Sequence, residues 1–203
     1  MRKKILALAL VTVMAVMSGC GSTSTGSVSE TVAGNGSEAA GENSADALSG
    51  VSTPVTEVLM TEAMQDLEGN EVHLSDIFAE NKVTMVNAWG TFCDPCKEEM
   101  PYLAELEKKY KDQGFEIVGL TIDVVDSDGN VQEEEFNDCK EIVGSSGVEY
   151  PVVLMNMSLL EKMDLFTFPT TYFINSKGEM VGKPVVGGHS EEDWEKIITG
   201  YIG

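Results

Sequence analysis

The stretch Trp89–Pro101, WGTFCDPCKEEMP, sets Cys93 and Cys96 three positions apart in a chain that has only four cysteines in 203 residues. Upstream, Val83 to Ala88 is a mostly apolar run suited to a central strand. Downstream, a helix is expected from about Cys96 to Tyr110, with Met100, Leu103, Leu106 and Tyr110 near one face. The chain therefore runs from a buried strand through Trp89-Gly90-Thr91-Phe92 onto a helix start at Cys93. A thiol there meets unpaired backbone N–H groups and the positive end of the helix dipole, and both stabilise a thiolate. Cys93 is accordingly the expected nucleophile. Cys96, one turn on, can close a small disulfide and faces inward, which suits a resolving thiol. Pro95 fits the first turn, where its missing N–H costs nothing.

Other chemistries can use such a pair. Zinc needs about four ligands, and Cys139, His73 and His189 have no spacing that completes a set. A purely structural bridge between residues three apart closes a loop too small to restrict the unfolded chain much. Cys139 shares a helical face with Phe136 and Val143 and is read as a buried, inert thiol. His189, in Gly187-Gly188-His189-Ser190, is read as a loop residue, and His73 as lying on a wet strand face.

Outward from the motif, strands alternate with helices. Glu71 to Leu74 reads as a short strand after the turn Gly69-Asn70, and Ser75 can cap a short helix through Ala79. Phe115 to Ile122 is a second buried strand and Gln132 to Val143 a second helix. Pro151 to Met155 and Thr171 to Ile174 read as further strands, the latter turned by Asn175-Ser176-Lys177-Gly178 into Glu179 to Val186. Ser190 and Asp193 have capping-box spacing, and Trp194, Ile197, Ile198 and Tyr201 follow at i, i+3, i+4, i+7. This alternation implies an α/β domain, residues 54–203, with a partly parallel, mixed central sheet and helices on both faces.

The other end of the chain is different in kind. Arg2, Lys3 and Lys4 precede the apolar run Ile5 to Met17, and Ser18, Gly19 and Cys20 follow. This is the pattern of an export signal over residues 1–20, too short for a comfortable membrane span. Residues 21–53 are rich in Ser, Gly and Glu without an aromatic residue, and are expected to form a disordered tether. The formal charge of −21 argues against a nucleic-acid partner, because phosphate binding needs clustered Lys and Arg.

Several of these features together resemble a known family. The Trp-x-x-x-Cys-x-x-Cys motif, Pro101 five residues after the second cysteine, and the distant Phe168-Pro169-Thr170 before a strand are similar to the thioredoxin superfamily. The Cys-x-Pro-Cys-Lys-x-Glu-x-Pro form, the strand Thr171-Tyr172-Phe173-Ile174-Asn175 and the lipobox-like Met17-Ser18-Gly19-Cys20 resemble its TlpA/ResA-like extracytoplasmic branch. The resemblance covers roughly residues 56 to 203. It implies a thioredoxin-like fold in which Cys93 attacks, Cys96 resolves, and Pro169 follows a cis peptide bond that sets substrate-binding backbone beside the sulfurs. It also implies that Glu99 assists proton transfer at the dithiol, that Cys20 is acylated, and that Trp89, Phe92, Asp94, Pro95, Phe168 and Pro169 meet the substrate. Trp89 and Trp194 are read besides as core or near-core packing. Two positions depart from the family: Phe92 stands where Trp is usual, and Asn87 where cytoplasmic thioredoxins keep a buried Asp. Peroxiredoxins place Pro and Thr/Ser where this chain has Val86 and Gly90, which excludes that reading.

The resemblance thus implies a monomeric thiol–disulfide oxidoreductase, without metal or other cofactor, lipid-anchored to the outer side of a bacterial cytoplasmic membrane. Its expected partners are disulfide-containing extracytoplasmic proteins, with a membrane-embedded thiol carrier as electron donor. The alternative is a Sco-like extracytoplasmic copper-binding chaperone, for which His189 would be the downstream ligand.

Overall fold

A computed structural model describes residues 53–203. The expected signal (residues 1–20), the tether up to residue 52 and Cys20 lie outside the described residues. The described chain begins with Thr53, whose side chain accepts from the Thr56 amide while Thr56 bonds back to the Thr53 amide. That capping box, with Pro54 in the first turn, starts helix α1 (Pro54–Thr61).

After it come β1 (Ala63–Asp66), β2 (Glu71–His73), α2 (Leu74–Glu80), β3 (Val83–Trp89) and α3 (Asp94–Tyr110). A single 3-10 turn leads to β4 (Phe115–Val125), α4 (Glu133–Ser145), β5 (Val152–Asn156), α5 (Met157–Met163), β6 (Thr170–Asn175), β7 (Val185–Val186) and α6 (Glu191–Ile202). The strands form one mixed sheet in the order β2-β1-β5-β4-β3-β6-β7. β3, β4 and β5 are parallel, and the flanking pairs are antiparallel. The central strands, β3 buried throughout and β4 along most of its length, read as near-continuous apolar runs because both faces are covered. One face packs Met85, Phe115, Ile117 and Phe173 with Leu103 and Leu106 of α3 and Trp194 and Ile198 of α6. The other packs Val86, Val118, Leu120 and Ile174 against Leu59, Phe78 and Leu160 of α1, α2 and α5. The expected architecture is the observed one.

Three tight turns share one solution. Asp66, Asp126 and Asn175 each use a side-chain oxygen to accept backbone N–H groups two and four residues on. Gly69, Gly129 and Gly178 supply the positive φ each turn requires, at 84°, 84° and 77°.

The structure differs from the sequence expectations at several edges. α2 begins at Leu74 with His73 as the N-cap, whose side chain makes no capping hydrogen bond, so Ser75 is not the cap. Leu74 is wholly buried and starts the helix by packing. The return strand from Glu179 to Val186 reduces to a bridge at Met180 and the two-residue β7. Ser190 does cap α6 by accepting from the Asp193 amide at 3.2 Å, and its hydroxyl donates to the Asp193 carboxylate at 2.7 Å.

Candidate active site

β3 and α3 place the cysteines. Cys93 is the N-cap of α3, its amide bonded to the Gly90 carbonyl at 3.0 Å, and Pro95 lies in the first turn. Cys93 and Cys96 form a disulfide with Cα atoms 5.3 Å apart. Cys93 is 6% exposed and Cys96 1%, so the bridge is reached through Cys93. Pro169 is buried after a cis bond from Phe168, at the head of β6. Ala88 pairs with Thr170 across β3 and β6, which brings that proline to the end of the sheet from which the cysteine loop leaves.

Exposed apolar side chains flank the bridge. Phe92, the residue before Cys93, is 62% exposed. The Phe92 ring meets the half-buried Phe168 edge-on at 6.1 Å, and Val186, paired with Thr170, is exposed beside them. The Phe92 ring lies close over Gly90: a Cβ there would sit 2.5 Å from it, so a larger residue would push the ring aside. Asp94 and Pro95 are exposed, and the Asp94 carboxylate pairs with Lys97 at 2.8 Å, which holds its carboxyl below the usual range. Trp89 is a correction to the substrate-facing set. It is wholly buried and presents no atom to a partner, because β3 carries it into the core under Gly119.

Glu99 is fully buried one turn beyond Cys96, on the same face of α3. Three donors converge on its carboxylate. Asn87 Nδ2 reaches Oε1 at 3.0 Å, and Trp194 Nε1 and the His189 amide reach Oε2 at 3.0 and 3.3 Å. Burial nevertheless raises its pKa, against the lowering by those bonds. A solvated helix carboxylate does not describe it. Asn87 is thus itself a donor to the carboxylate, and it also donates to Thr171 Oγ1 at 3.0 Å.

Sequence reasoning missed the parts of this cradle that come from far along the chain. Trp194 read only as packing, and the glycines before His189 only as a loop. Gly188 in fact lies so close that a Cβ would be 3.3 Å from Pro95 Cβ and 3.6 Å from Glu99 Oε2. The His189 ring lies on Trp194 with centroids 5.0 Å apart, and its Nδ1 is 2.8 Å from the Gly187 carbonyl. It is engaged in closing this loop, whereas the copper reading would need it as a metal ligand. His73 is exposed next to Glu71, as expected. Cys139 is fully buried, and burial pushes its thiol up to about 12, well above any useful thiolate range. Val86 is buried in the sheet and Gly90 lies under Phe92, so neither offers the proline or hydroxyl that a peroxiredoxin places before its reactive cysteine.

Comparison with known proteins agrees with this geometry. A model of the AhpC/TSA family matches residues 55–182. The thiol-disulfide oxidoreductase ResA of Bacillus subtilis (strain 168) is 36% identical over 129 residues, which cover 63% of this chain and 65% of that protein. ResA of Halalkalibacterium halodurans is 32% identical over 136 residues, 66% of this chain and 70% of that protein. The chain thus spans about two thirds of these relatives' length. Among solved structures, a thioredoxin-family thiol:disulfide interchange protein from Chlorobium tepidum TLS superposes with a TM-score of 0.57 at 22% identity, covering 70% of this chain and 93% of its own. The thioredoxin domain of a Bacteroides vulgatus thiol-disulfide oxidoreductase gives 0.56 at 25% identity, with the same coverages. With a thioredoxin-like sheet and a Cys93–Cys96 disulfide at the head of α3, the chain belongs to the AhpC/TSA family and, within it, to the thiol-disulfide oxidoreductases that ResA represents.

Proposed function

We propose that this protein reduces disulfides in extracytoplasmic proteins while held to the outer face of a bacterial cytoplasmic membrane by a lipid on Cys20. The observation that carries the reading is the disulfide at the N-terminus of α3, with the exposed Phe92 beside it and Val186 exposed opposite Thr170. In the reduced protein the Cys93 thiolate attacks one sulfur of a substrate disulfide, forming a mixed disulfide and releasing the other substrate sulfur as a thiolate that takes up a proton. Cys96 then loses its proton and attacks Cys93 Sγ, releasing the second substrate thiol. Two electrons pass to the substrate and the Cys93–Cys96 bridge remains.

The resolving step needs a base for a thiol that is almost wholly buried. In this reading Glu99, buried three residues along α3 from Cys96 and so on the same face of the helix, exchanges that proton. Its raised pKa narrows the gap to a thiol, which favours transfer in both directions. Phe92, Asp94, Pro95, Phe168 and Pro169 form the substrate face. A membrane-embedded thiol carrier restores the dithiol, since no NADPH pool exists outside the cytoplasm. No helix among the described residues is long and apolar enough to cross a membrane.

The test is turbidimetric insulin reduction with dithiothreitol as donor. Wild type is expected to accelerate it and Cys93→Ala to abolish the acceleration, while Cys96→Ala accumulates mixed disulfides in native membranes. Unchanged insulin reduction by Cys93→Ala would overturn the reading.

A further inference from the structure

The loop that delivers Cys93 is held from behind. Asp123 Oδ2 accepts two hydrogen bonds from one residue, Thr91, from the amide at 2.9 Å and from the hydroxyl at 2.6 Å. Its other oxygen accepts from Thr121 Oγ1 at 3.3 Å. Thr91 is two residues before the nucleophile and sits between Gly90, whose carbonyl holds the Cys93 amide, and Phe92. The Phe92 ring in turn folds over Gly90. One carboxylate therefore fixes the turn that sets both the nucleophile and the exposed aromatic wall beside it.

The sheet is built to aim that carboxylate. β4 pairs with β5 at Thr121 and Leu154 and again only at Val125 and Asn156, so four steps on β4 oppose two on β5. The irregularity falls on the segment that carries Asp123. It breaks the strict alternation: Ile122 packs on one face of the sheet, while Val124, which an unbroken strand would place with it, packs on the other. Bulges next to active sites commonly serve to re-aim a side chain. Charge-assisted bonds to a half-buried carboxylate are among the stronger ones available to hold a turn.

We propose that Asp123 is a positioning residue for disulfide exchange, clamping Thr91 so that Cys93 and Phe92 keep the geometry in which a protein disulfide is attacked in line. This rests on the oxidoreductase reading above. Attack on a protein disulfide requires three sulfurs nearly collinear with a bulky partner held against the surface, whereas iodoacetamide, which also reacts in line, is small enough to orient itself at the thiolate. Small misplacements are costly only for the first reaction.

Both rates are to be measured for the reduced full chain, at a pH above the Cys93 ionisation so that thiolate supply is not limiting. Asp123→Ala and Thr91→Val are expected to lower kcat/KM for insulin reduction about tenfold while changing the iodoacetamide rate constant less than twofold. Asp123→Asn, which keeps an acceptor oxygen for Thr91, is expected to recover to within about threefold of wild type. Insulin reduction by Asp123→Ala within twofold of wild type overturns the proposal, as does a parallel fall of both rates, which would mark general disruption. If Asp123→Ala does not fold, Thr91→Val decides by the same criteria. Failure of wild type to reduce insulin would instead sink the reductase reading. Exchange with dithionitrobenzoate, set against alkylation, then tests the positioning claim without a protein substrate.

Discussion

Replacing Trp194 by Phe removes one donor from the buried Glu99 carboxylate and leaves the rest of its cradle in place. A bond to a charged acceptor contributes about 1.5–3 kcal/mol and one to a neutral acceptor about 0.5–1.5 kcal/mol. The volume lost from the core adds a cost of about 1–2 kcal/mol that does not depend on pH. Burial raises the folded-state pKa of Glu99 above its unfolded value. Its contribution to stability is therefore fully present below the unfolded value of about 4.3 and is lost as pH rises through the folded one. Removing the Trp194 donor raises that folded value further, so the destabilisation must grow with pH. Urea unfolding of oxidised wild type and Trp194→Phe, from pH 8 down to pH 4.5, is expected to show a loss about 1–1.5 kcal/mol larger at pH 8. For a domain of this size that difference is about 2–6 °C in Tm. The same loss at both ends of the range would refute the reasoning: Glu99 would then carry no charge at pH 8 in the folded protein, or Trp194 would not be what holds it.

Further expected outcomes follow from the same geometry. Cys139→Ala should reduce insulin at nearly the wild-type rate, checked in the turbidity assay, because its thiol is buried and held un-ionised. Gly119→Ala should destabilise by about 1–3 kcal/mol in urea, since its Cβ would lie 3.2 Å from Val152 and 3.3 Å from Trp89 Nε1. Cys20→Ala should release the protein from membranes, read by fractionation, without changing its dithiol chemistry. Asp94→His should raise the reduction potential only slightly, because Asp94 is largely exposed and already paired with Lys97. A large shift in thiol–disulfide equilibration would restore local charge as the dominant influence on Cys93.

What the sequence made legible was what is local. The Val83–Ala88 run, the Trp89–Pro101 motif and the periodic Trp194–Tyr201 segment each carry their own pattern, and each forms the expected element within a few residues. The elements that escaped were short. β1 is four residues with one buried side chain, and α5 is seven residues whose only announcement is the Asn156 cap. α1 is rich in β-branched residues, and its signal was the Thr53-Pro54 start rather than its propensity. In the site, the cysteines could be read because spacing and helix position fix their chemistry. The partners of Glu99 could not, since Asn87, His189 and Trp194 lie 12, 90 and 95 residues from it along the chain. Asp123 escaped for a further reason, as the bulge that aims it breaks the period-2 pattern by which strand faces are read.

The direction of electron flow is tested most directly by the reduction potential of the Cys93–Cys96 couple. The full chain is equilibrated in glutathione and dithiothreitol buffers, and the two redox states are counted by alkylation and mass spectrometry. The buried Glu99 carboxylate, one turn beyond Cys96 and not screened by solvent as Asp94 is, opposes a strongly stabilised thiolate and so favours a reducing couple. The account predicts a reversible two-electron couple toward the thioredoxin end of the scale, near about −270 mV. A potential more oxidising than about −180 mV, or no reversible couple at these two cysteines, would contradict it.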